Sequence, residues 1–559
     1  MAWPVIPCTG STGCCCSPPR PLWWVPGAGR VYRPARHRRA WPEWPAPWPD
    51  RAASPVNRPD QQRGIFGALA RHSLIYGVGS ALGAAGGFLL IPLYTHVLAT
   101  EQYGLLELLN RIADILLLVM FMGLRQAYIR FYFEQDTPDW RQRVTGSTLV
   151  FVLASGLILA SLFWLLHEPL LGLFADAAEL RVPVMLLLLW MPAEMVLQLG
   201  MVDLQVRLRS LLYVLVSLLR LIGFIALNVY LIWVRDFGVV GVLLAQALVT
   251  GLIALGFLGL LGWQTRVRCS AALVRRLLAF GLPYLPAAAF MYVVNNGDRY
   301  VIGAYESLAA VGIYALAHKI GMMGTQFLMD PFNKVWSPFL FRHYSDPGGP
   351  RLVGRVYTLY TMVSLFVALG ISLAAPVALP WISAAEYHGA ATLVPLIALA
   401  SVFYGMSCLG DAGILIAKRT RYKPLICALA ALVSVLANFW LVPRWGATGA
   451  AVAAALAFLT LLLSTLWVAN HFYRMWLPRG RIVVMFALSA LLYLLGLGAM
   501  RLLSVSWVTP LIAGLALAAF PLLMWHGGFL LAEERSMVTE LLRRLRRGAV
   551  RRYAGHGEA

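Results

Sequence analysis

The chain has 559 residues, of which 60% are apolar and 13% are charged. A soluble domain cannot hide so large an apolar fraction from water, so the composition excludes a soluble protein and indicates one embedded in lipid. The formal net charge of +21 would suit a nucleic-acid-binding protein, but the positive charge lies in short loops between apolar runs and in the two tails. Loops that face anionic lipid have this distribution, and we expect no nucleic-acid partner.

Residues 1–63 differ in composition from the rest of the chain. They are rich in Pro, Trp and Arg and show no apolar periodicity. They also lack the apolar run of about 7–15 residues that a secretory signal requires. We expect a disordered extension here, in preference to a basic segment that tryptophan side chains anchor to the membrane surface.

Apolar runs of about 20 residues, long enough to cross a bilayer, recur from Ser73 onward. They predict an all-α integral membrane protein with about fourteen transmembrane helices. The predicted helices lie near 73–98, 105–127, 144–166, 182–203, 211–234, 239–262, 279–303, 308–331, 356–379, 391–417, 424–442, 447–470, 482–500 and 507–532.

The loops between these runs alternate in charge along the whole chain. One set is rich in arginine, as at Arg141, Arg207, Arg268 and Arg421, whereas each loop of the other set holds at most one basic residue. Because basic loops stay on the cytoplasmic side, this alternation predicts that both termini are cytoplasmic. The basic amphipathic segment within 533–559 is expected to lie on the same membrane surface.

An internal repeat relates two stretches of the chain at an offset of 208 residues, the separation of Gly104 from Gly312. The segment THVLATEQYGLLELLNRI aligns without gaps to GAYESLAAVGIYALAHKI, and this alignment pairs Arg111 with Lys319. The repeat predicts two six-helix bundles that run in the same topological sense and enclose a cavity between them.

A second pair of similar segments lies near the ends of the two predicted bundles. Asn228 precedes Gly238 and Gly241 in one copy, and Asn438 precedes Gly446 and Gly449 in the other. Because glycine permits positive φ, we expect these glycines at tight turns that start a helix. The predicted domains are a tail at 1–63, six-helix bundles at 64–270 and 271–475, two additional transmembrane helices at 476–532, and a basic tail at 533–559.

The stretch LLIPLYTHVLATEQYGLLELLNRIADILLLVMFMGLRQAYIRFYFE resembles the opening helix pair of bacterial polysaccharide flippases. These flippases belong to the multidrug/oligosaccharidyl-lipid/polysaccharide exporter superfamily. The shared features are the loop that ends in Tyr103-Gly104, the pair Gly123-Leu124, and the aromatic-basic stretch that begins at Arg130. The Asn…Gly-x-x-Gly elements are also similar, and the resemblance covers roughly residues 70–475.

This resemblance implies a transporter for undecaprenyl-diphosphate-linked oligosaccharide. The substrate would move from the cytoplasmic to the periplasmic leaflet of the bacterial inner membrane and feed O-antigen, capsule or exopolysaccharide synthesis. Glycosyltransferases and a polysaccharide polymerase of the same pathway are the implied partners. A lipid II flippase and a drug/cation antiporter of the same superfamily are alternatives.

Ionisable residues within the predicted helices are the candidates for transport, because a charge in a span must face protein, water or a partner. Glu107, Asn110, Arg111 and Asp114 have the spacing i, i+3, i+4, i+7 and therefore share one face of a helix. Lys319 lies at the equivalent position of the second copy. Such faces are expected to line a wet cavity.

Two roles are predicted for these side chains. Cationic and amide groups would bind the diphosphate or acidic sugars of the substrate, and carboxylates would couple transport to a proton or sodium ion. The predicted binding residues are Arg111, Lys319, Arg299, Asn110, Asn295 and Gln326. The predicted coupling residues are Asp114, Glu194, Asp298 and Asp330.

The alternative to a transport site is a set of internal ion pairs that only fix packing. Glu107 and Arg111 have the spacing of an ordinary helix pair, and Asp298–Arg299 would then be solvated at the outer rim. Arg220 and Asp411 are assigned to packing in the first instance.

Sequence motifs of enzymes give no support to a catalytic function. The chain lacks the P-loop, His-Glu-x-x-His and Gly-x-Ser-x-Gly patterns, and its seven cysteines do not have zinc-ligand spacing. We therefore expect no enzymatic activity, metal or other cofactor. A membrane-embedded polysaccharide polymerase or ligase is the alternative of another class, but the short predicted outer loops favour transport.

Overall fold

The computed structural model describes residues 89–171, 177–265, 268–324, 348–417, 419–503 and 508–526, with 328–329, 332, 336, 340–341 and 344 between them. Four predictions fall outside these residues: the tail at 1–63, the basic tail at 533–559, and the site residues Gln326 and Asp330. The first part of the predicted helix 73–98 is also outside them.

The regular structure of the described residues is helical. The helices are α1 Ile91–Val97, α2 Thr100–Phe121, α3 Leu124–Tyr132, α4 Pro138–Leu171, α5 Ala177–Val206, α6 Ser210–Asn228, α7 Gly238–Thr265, α8 Ala271–Gly281, α9 Leu285–Tyr305, α10 Leu308–Gly321, α11 Gly349–Ile382, α12 Ala390–Gly410, α13 Ala412–Ile416, α14 Lys423–Phe472, α15 Arg479–Leu503 and α16 Val508–His526. A π-helical turn, Val229–Val234, extends α6. The prediction of an all-α membrane protein is confirmed.

Within the described ranges, ten helical segments are long and apolar enough to cross a membrane. One of them, Thr420–Phe472, covers two of the predicted spans. Helix α10 has 14 residues, and α2 carries four charged side chains: Glu101, Glu107, Arg111 and Asp114. The two helices that differ most from a plain apolar span are therefore the two that carry the internal repeat.

Residues with positive φ mark three helix boundaries. One lies inside a helix that the sequence predicts as a single span, one lies between two predicted spans, and one lies at the start of α7. Helix α2 ends at Phe121 because Met122 and Gly123 have left-handed backbone with φ of 44° and 69°, so the predicted helix 105–127 is two helices. Gly446, with φ of 55°, separates the two spans within α14. Gly238 has φ of 52° at the start of α7, so the expected positive φ is found at Gly238 and Gly446 but not at Gly241 or Gly449.

The two copies of the repeat meet where α2 crosses α10. A Cβ atom added at Gly104 would strike the carbonyl group of Leu308, and one added at Gly312 would strike the carbonyl oxygen of Thr100. Thr100 and Leu308 are themselves related by the offset of the repeat. The contact is therefore reciprocal, as a two-fold axis between the helices requires.

The last two helices, α15 and α16, pack against each other and against α11. Aromatic contacts support this arrangement: the ring centroids of Phe403 and Phe486 are 5.6 Å apart, and those of Phe366 and Phe520 are 6.3 Å apart. These helices lie outside the repeat in sequence, and in the structure they add to the side of the second bundle.

Candidate functional site

A cavity of about 670 Å³ lies beside the crossing of α2 and α10. Its wall is built by α1, α2, α5, α6 and α7, and among the described residues Lys319 of α10 is the one contribution from the second copy. The sequence predicts a cavity between two equivalent bundles. In the structure, all described lining residues except Lys319 lie within residues 64–270, the first predicted bundle.

The polar face of α2 lines this cavity with all four of its predicted members, Glu107, Asn110, Arg111 and Asp114. Nη1 of Arg111 is 2.7 Å from Asp114 Oδ2, and Nη2 is 3.7 Å from Glu107 Oε2. The helical spacing brings these groups together because residues three and four apart are neighbours on a helix surface. The sequence therefore located this face from periodicity alone.

Lys319, in the second copy of the repeat, also contacts the carboxylate of Glu107. Its Nζ is 3.8 Å from Glu107 Oε1 and donates a hydrogen bond of 3.2 Å to the hydroxyl of Tyr103. The ammonium also lies 5.7 Å from the centroid of the Tyr103 ring, within the range of a cation–π contact. The two repeat-related cations, Arg111 and Lys319, thus converge on Glu107, which is only 7% exposed.

A second ion pair lies on the opposite part of the wall. Nη2 of Arg220 on α6 is 2.8 Å from Glu194 Oε2 on α5, and Gln198 donates a 3.3 Å hydrogen bond to the same carboxylate. All three side chains line the cavity. The sequence analysis assigned Arg220 to packing, and in the structure its side chain both pairs with Glu194 and lines the cavity.

The predicted site residues of α9 lie away from the cavity. Asp298 and Arg299 are 2% and 4% exposed and pair at 3.1 Å, and the hydroxyl of Tyr314 donates to Asp298. Nη1 of Arg299 also donates to the carbonyl oxygen of Asn295. The expectation of a solvated pair at the outer rim is wrong, because both side chains are buried, and neither they nor Asn295 line the described cavity.

Helix α9 reaches the cavity indirectly, through Arg111. Nη1 of Arg111 donates a 3.2 Å hydrogen bond to Asn296, and the hydroxyl of Tyr292 donates to the carbonyl oxygen of Arg111. Asn296 and Tyr292 were not among the predicted site residues. They couple the position of Arg111 to the second bundle.

The cavity carries charges of both signs. Its described wall holds three cationic side chains, Arg111, Arg220 and Lys319, and three acidic ones, Glu107, Asp114 and Glu194. Each cation has an acidic partner within 4 Å. An anion that enters therefore meets cations that already have carboxylate partners, and it would compete with those carboxylates for the N–H donors.

The two bundles touch on both sides of the cavity. On the side with few basic residues, the buried hydroxyl of Tyr387 donates a 3.1 Å hydrogen bond to the carbonyl oxygen of Leu98. Burial raises the pKa of Tyr387 well above its ordinary value, so this group remains a neutral donor. The reciprocal contact of Gly104 with Gly312 lies on the same side.

On the arginine-rich side, α3 packs against α8. The backbones of Gly123 and Gly281 approach so closely that a Cβ atom at either one would clash. Nη2 of Arg276 is 2.9 Å from Glu134 Oε1, and the guanidinium of Arg130 lies 4.8 Å from the centroid of the Phe280 ring. Helices of the two repeat copies are thus in contact on both of these sides.

The fold and the charged cavity define the class of protein: a multi-pass helical membrane protein with a charged cavity among its helices. Residues 69–343 match the model of a family described as polysaccharide biosynthesis protein. This segment is therefore similar to that family, which agrees with the resemblance of residues 70–475 to polysaccharide flippases in the sequence.

Solved structures share the fold at low sequence identity. A structure titled lipid II flippase MurJ, inward closed conformation, has a TM-score of 0.61 and 12% identity, and the match covers 82% of this chain and 100% of that one. An inward-facing multidrug resistance MATE family transporter has a TM-score of 0.55 and 16% identity over 71% of this chain and 94% of that one. A mutant of the Vibrio cholerae MATE transporter VcmN gives a TM-score of 0.50 and 14% identity over 73% of this chain and 97% of that one. No curated protein sequence matches the chain.

Proposed function

We propose that the protein is a flippase that moves undecaprenyl-diphosphate-linked oligosaccharide across the bacterial inner membrane for polysaccharide biosynthesis. The family match and the transporter fold support a transported substrate of this pathway. The observation that carries the proposal is the convergence of Arg111 and Lys319 on one buried carboxylate at the cavity wall. In this proposal both termini are cytoplasmic, and glycosyltransferases and a polymerase act on the same carrier lipid.

The diphosphate would bind by exchange of ion pairs. Arginine offers a planar set of donors that fits a phosphate group in two-point geometry, and lysine adds a compact charge. In the absence of substrate, Glu107 and Asp114 occupy these donors. Substrate would displace the carboxylates, and a released carboxylate would then take up a proton or sodium ion, as proposed for Asp114 and Glu194.

The cavity size suits the head of such a substrate. A volume of about 670 Å³ lies within the range of about 300–1,000 Å³ that ligand pockets occupy. The diphosphate and the first sugars fit this space, whereas the long polyprenyl chain would remain in the bilayer. Amide and hydroxyl groups of Asn110, Gln198, Gln246 and Ser217 also line the wall and offer hydrogen bonds to sugars.

The direct test is neutralisation of each cation in a strain that depends on this protein. We expect Arg111→Gln and Lys319→Gln each to reduce surface glycan at least about tenfold. The reason is that loss of one hydrogen bond between a charged side chain and the substrate weakens binding by about this factor. Lipid-linked repeat units should accumulate on the inner leaflet, and the amount of protein in the membrane should stay at the wild-type level. Arg444→Gln is the control, because Arg444 is exposed on α14 and does not line the cavity.

The outcome of this test also separates the proposal from its alternatives. Wild-type glycan from both variants, with normal protein levels, would exclude these cations from transport. Accumulation of polymerisable repeat units already on the outer leaflet would instead indicate a polymerase.

Lipid II is a second candidate substrate because the MurJ structure aligns over its full length. The two substrates share the carrier diphosphate and differ in the sugars. Complementation decides between them: if this chain supports growth of cells depleted of their lipid II flippase but restores no surface glycan, the substrate is lipid II.

A further inference from the structure

A second cavity, of about 500 Å³, opens where three helix ends meet on the arginine-rich side of the protein. It lies beside the start of α4, the end of α5 and the end of α7, and its wall includes Arg141, Arg207, Trp263 and Gln264. None of its lining residues lines the first cavity. Its features therefore need an explanation of their own.

The two arginines of this pocket are held in place by other groups. Nη2 of Arg141 is 3.0 Å from Asp136, and its guanidinium lies 5.3 Å from the centroid of the Tyr132 ring. Arg207 bonds Asp203 through Nε at 2.8 Å. This contact uses the inner nitrogen of the guanidinium and leaves the two Nη groups as donors. Side chains fixed in this way lose little entropy when an anion binds.

Polar atoms at the pocket also lack partners. Among the described residues, Nε of Arg141 and Oε1 of Gln264 are buried without a hydrogen-bond partner. A buried polar atom without a partner costs free energy, so these two atoms indicate a polar ligand or ordered water in the pocket. Two arginines favour a ligand with phosphate oxygens.

The position of the pocket relative to the bilayer indicates the source of that phosphate. Trp263, near the end of the apolar helix α7, is 81% exposed. Tryptophan at the end of a span is typical of the headgroup region, where its ring is partly apolar and partly polar. The loops on this side carry the basic residues that anionic leaflets attract.

We propose that this pocket binds the phosphate of an anionic phospholipid, with Arg141 and Arg207 on the headgroup and Trp263 at the boundary of the acyl chains. Within the part of the chain that the structure describes, the charged side chains at the pocket are these two arginines with their partners Asp136 and Asp203. The phosphodiester would share the guanidinium groups with those carboxylates. This inference does not rest on the proposed transport activity, because the bulk lipid and not the transported glycolipid is the ligand.

The test uses full-length protein in nanodiscs of phosphatidylcholine that contain a minor fraction of phosphatidylglycerol. Native mass spectrometry after release from the disc counts the phosphatidylglycerol molecules retained by each protein. We expect Arg141→Gln and Arg207→Gln to lower this retention about fivefold, the ratio for one basic residue at an anionic surface. Arg143→Gln should retain as much as wild type, since Arg143 is exposed, pairs with Asp139 and does not line the pocket.

Gln142→Glu provides a second variant in case loss of an arginine disturbs folding. Gln142 lines the pocket, and no hydrogen bond to its side chain would be broken among the described residues. The added negative charge should repel phosphatidylglycerol without removal of either arginine. Equal retention in wild type and in all three pocket variants would overturn the proposal.

Two further arms separate the possible sources of the phosphate. Soluble glycerol 3-phosphate at millimolar concentration should leave the retained phosphatidylglycerol unchanged, and displacement by it would show a site for free anions instead. Retention of phosphatidylcholine equal to that of phosphatidylglycerol would contradict a site selective for an anionic headgroup.

Discussion

Glu107 is the residue at which the charges of the two repeat copies meet. It lies within 4 Å of both Arg111 and Lys319, although its own equivalent in the second copy is Ala315. Asp114 is likewise matched by Met322. The cation at position 111 thus has a counterpart in the second copy, whereas Glu107 and Asp114 have none.

A double-mutant cycle tests whether this convergence stabilises the protein. Glu107→Gln removes the acidic partner of Lys319 and one of the two acidic partners of Arg111. It should therefore destabilise the wild-type fold more than it destabilises the Lys319→Gln variant. We expect a coupling free energy of about 0.5–3 kcal/mol from thermal unfolding of the purified protein.

The matched control for this cycle is the exposed pair Asp139–Arg143 on α4, which has the same kinds of charge. Its coupling should stay under about 1 kcal/mol because solvent screens exposed charges. Similar values for the two pairs would contradict a special role for Glu107.

At the scale of single elements, the crossing of α2 and α10 depends on glycines. Gly312→Ala should lower the free energy of unfolding by about 1–3 kcal/mol, because the new methyl group would strike the carbonyl oxygen of Thr100. Thermal unfolding in detergent measures the change.

Gly251→Ala in α7 is the control for that substitution. A Cβ atom at Gly251 meets nothing within 4 Å, so alanine should be neutral or slightly stabilising there. An equal loss of stability in both variants would show that the helix crossing is not the cause.

The contact of α3 with α8 provides a test of movement. Cysteines at Glu134 and Arg276, in a chain whose seven native cysteines are serine, would lie on the two sides of this contact. A short bis-maleimide that joins them should abolish glycan export, because a substrate that enters from this side requires the two helices to separate.

The control for this experiment joins cysteines at Asp139 and Arg143 within α4. This crosslink stays inside one helix and should leave export at the level of the cysteine-free chain. Undiminished export with α3 joined to α8 would mean that this side does not open.

For the molecule as a whole, the alternation of loop charge predicts which surface faces the cytoplasm. Single cysteines at the exposed positions Arg209 and Arg421 should react with a membrane-impermeant thiol reagent only after cells are opened. Cysteines at the exposed positions Glu306 and Glu386 should react in intact spheroplasts. The opposite pattern would invert the proposed orientation.

Periodicity and charge were sufficient to predict most of the helices and the polar face of α2. A helix in lipid needs a long apolar run, and its polar residues lie on the face that avoids lipid. They did not predict the break at Met122, since left-handed backbone at a methionine has no clear sequence signal. They left the surroundings of Asp298–Arg299 and of Arg220 open. Whether a charge in a span faces a cavity or another helix depends on packing between distant segments, which periodicity within one helix does not contain.

The reciprocal crossing at Gly104 and Gly312 bears on how the protein arose. Two identical chains that associate about a two-fold axis place the same residue on both sides of their interface. The present chain makes such a contact with itself. An ancestor half as long would thus have formed a parallel homodimer through this helix, and fusion of two gene copies would have freed one of them to acquire acidic residues independently.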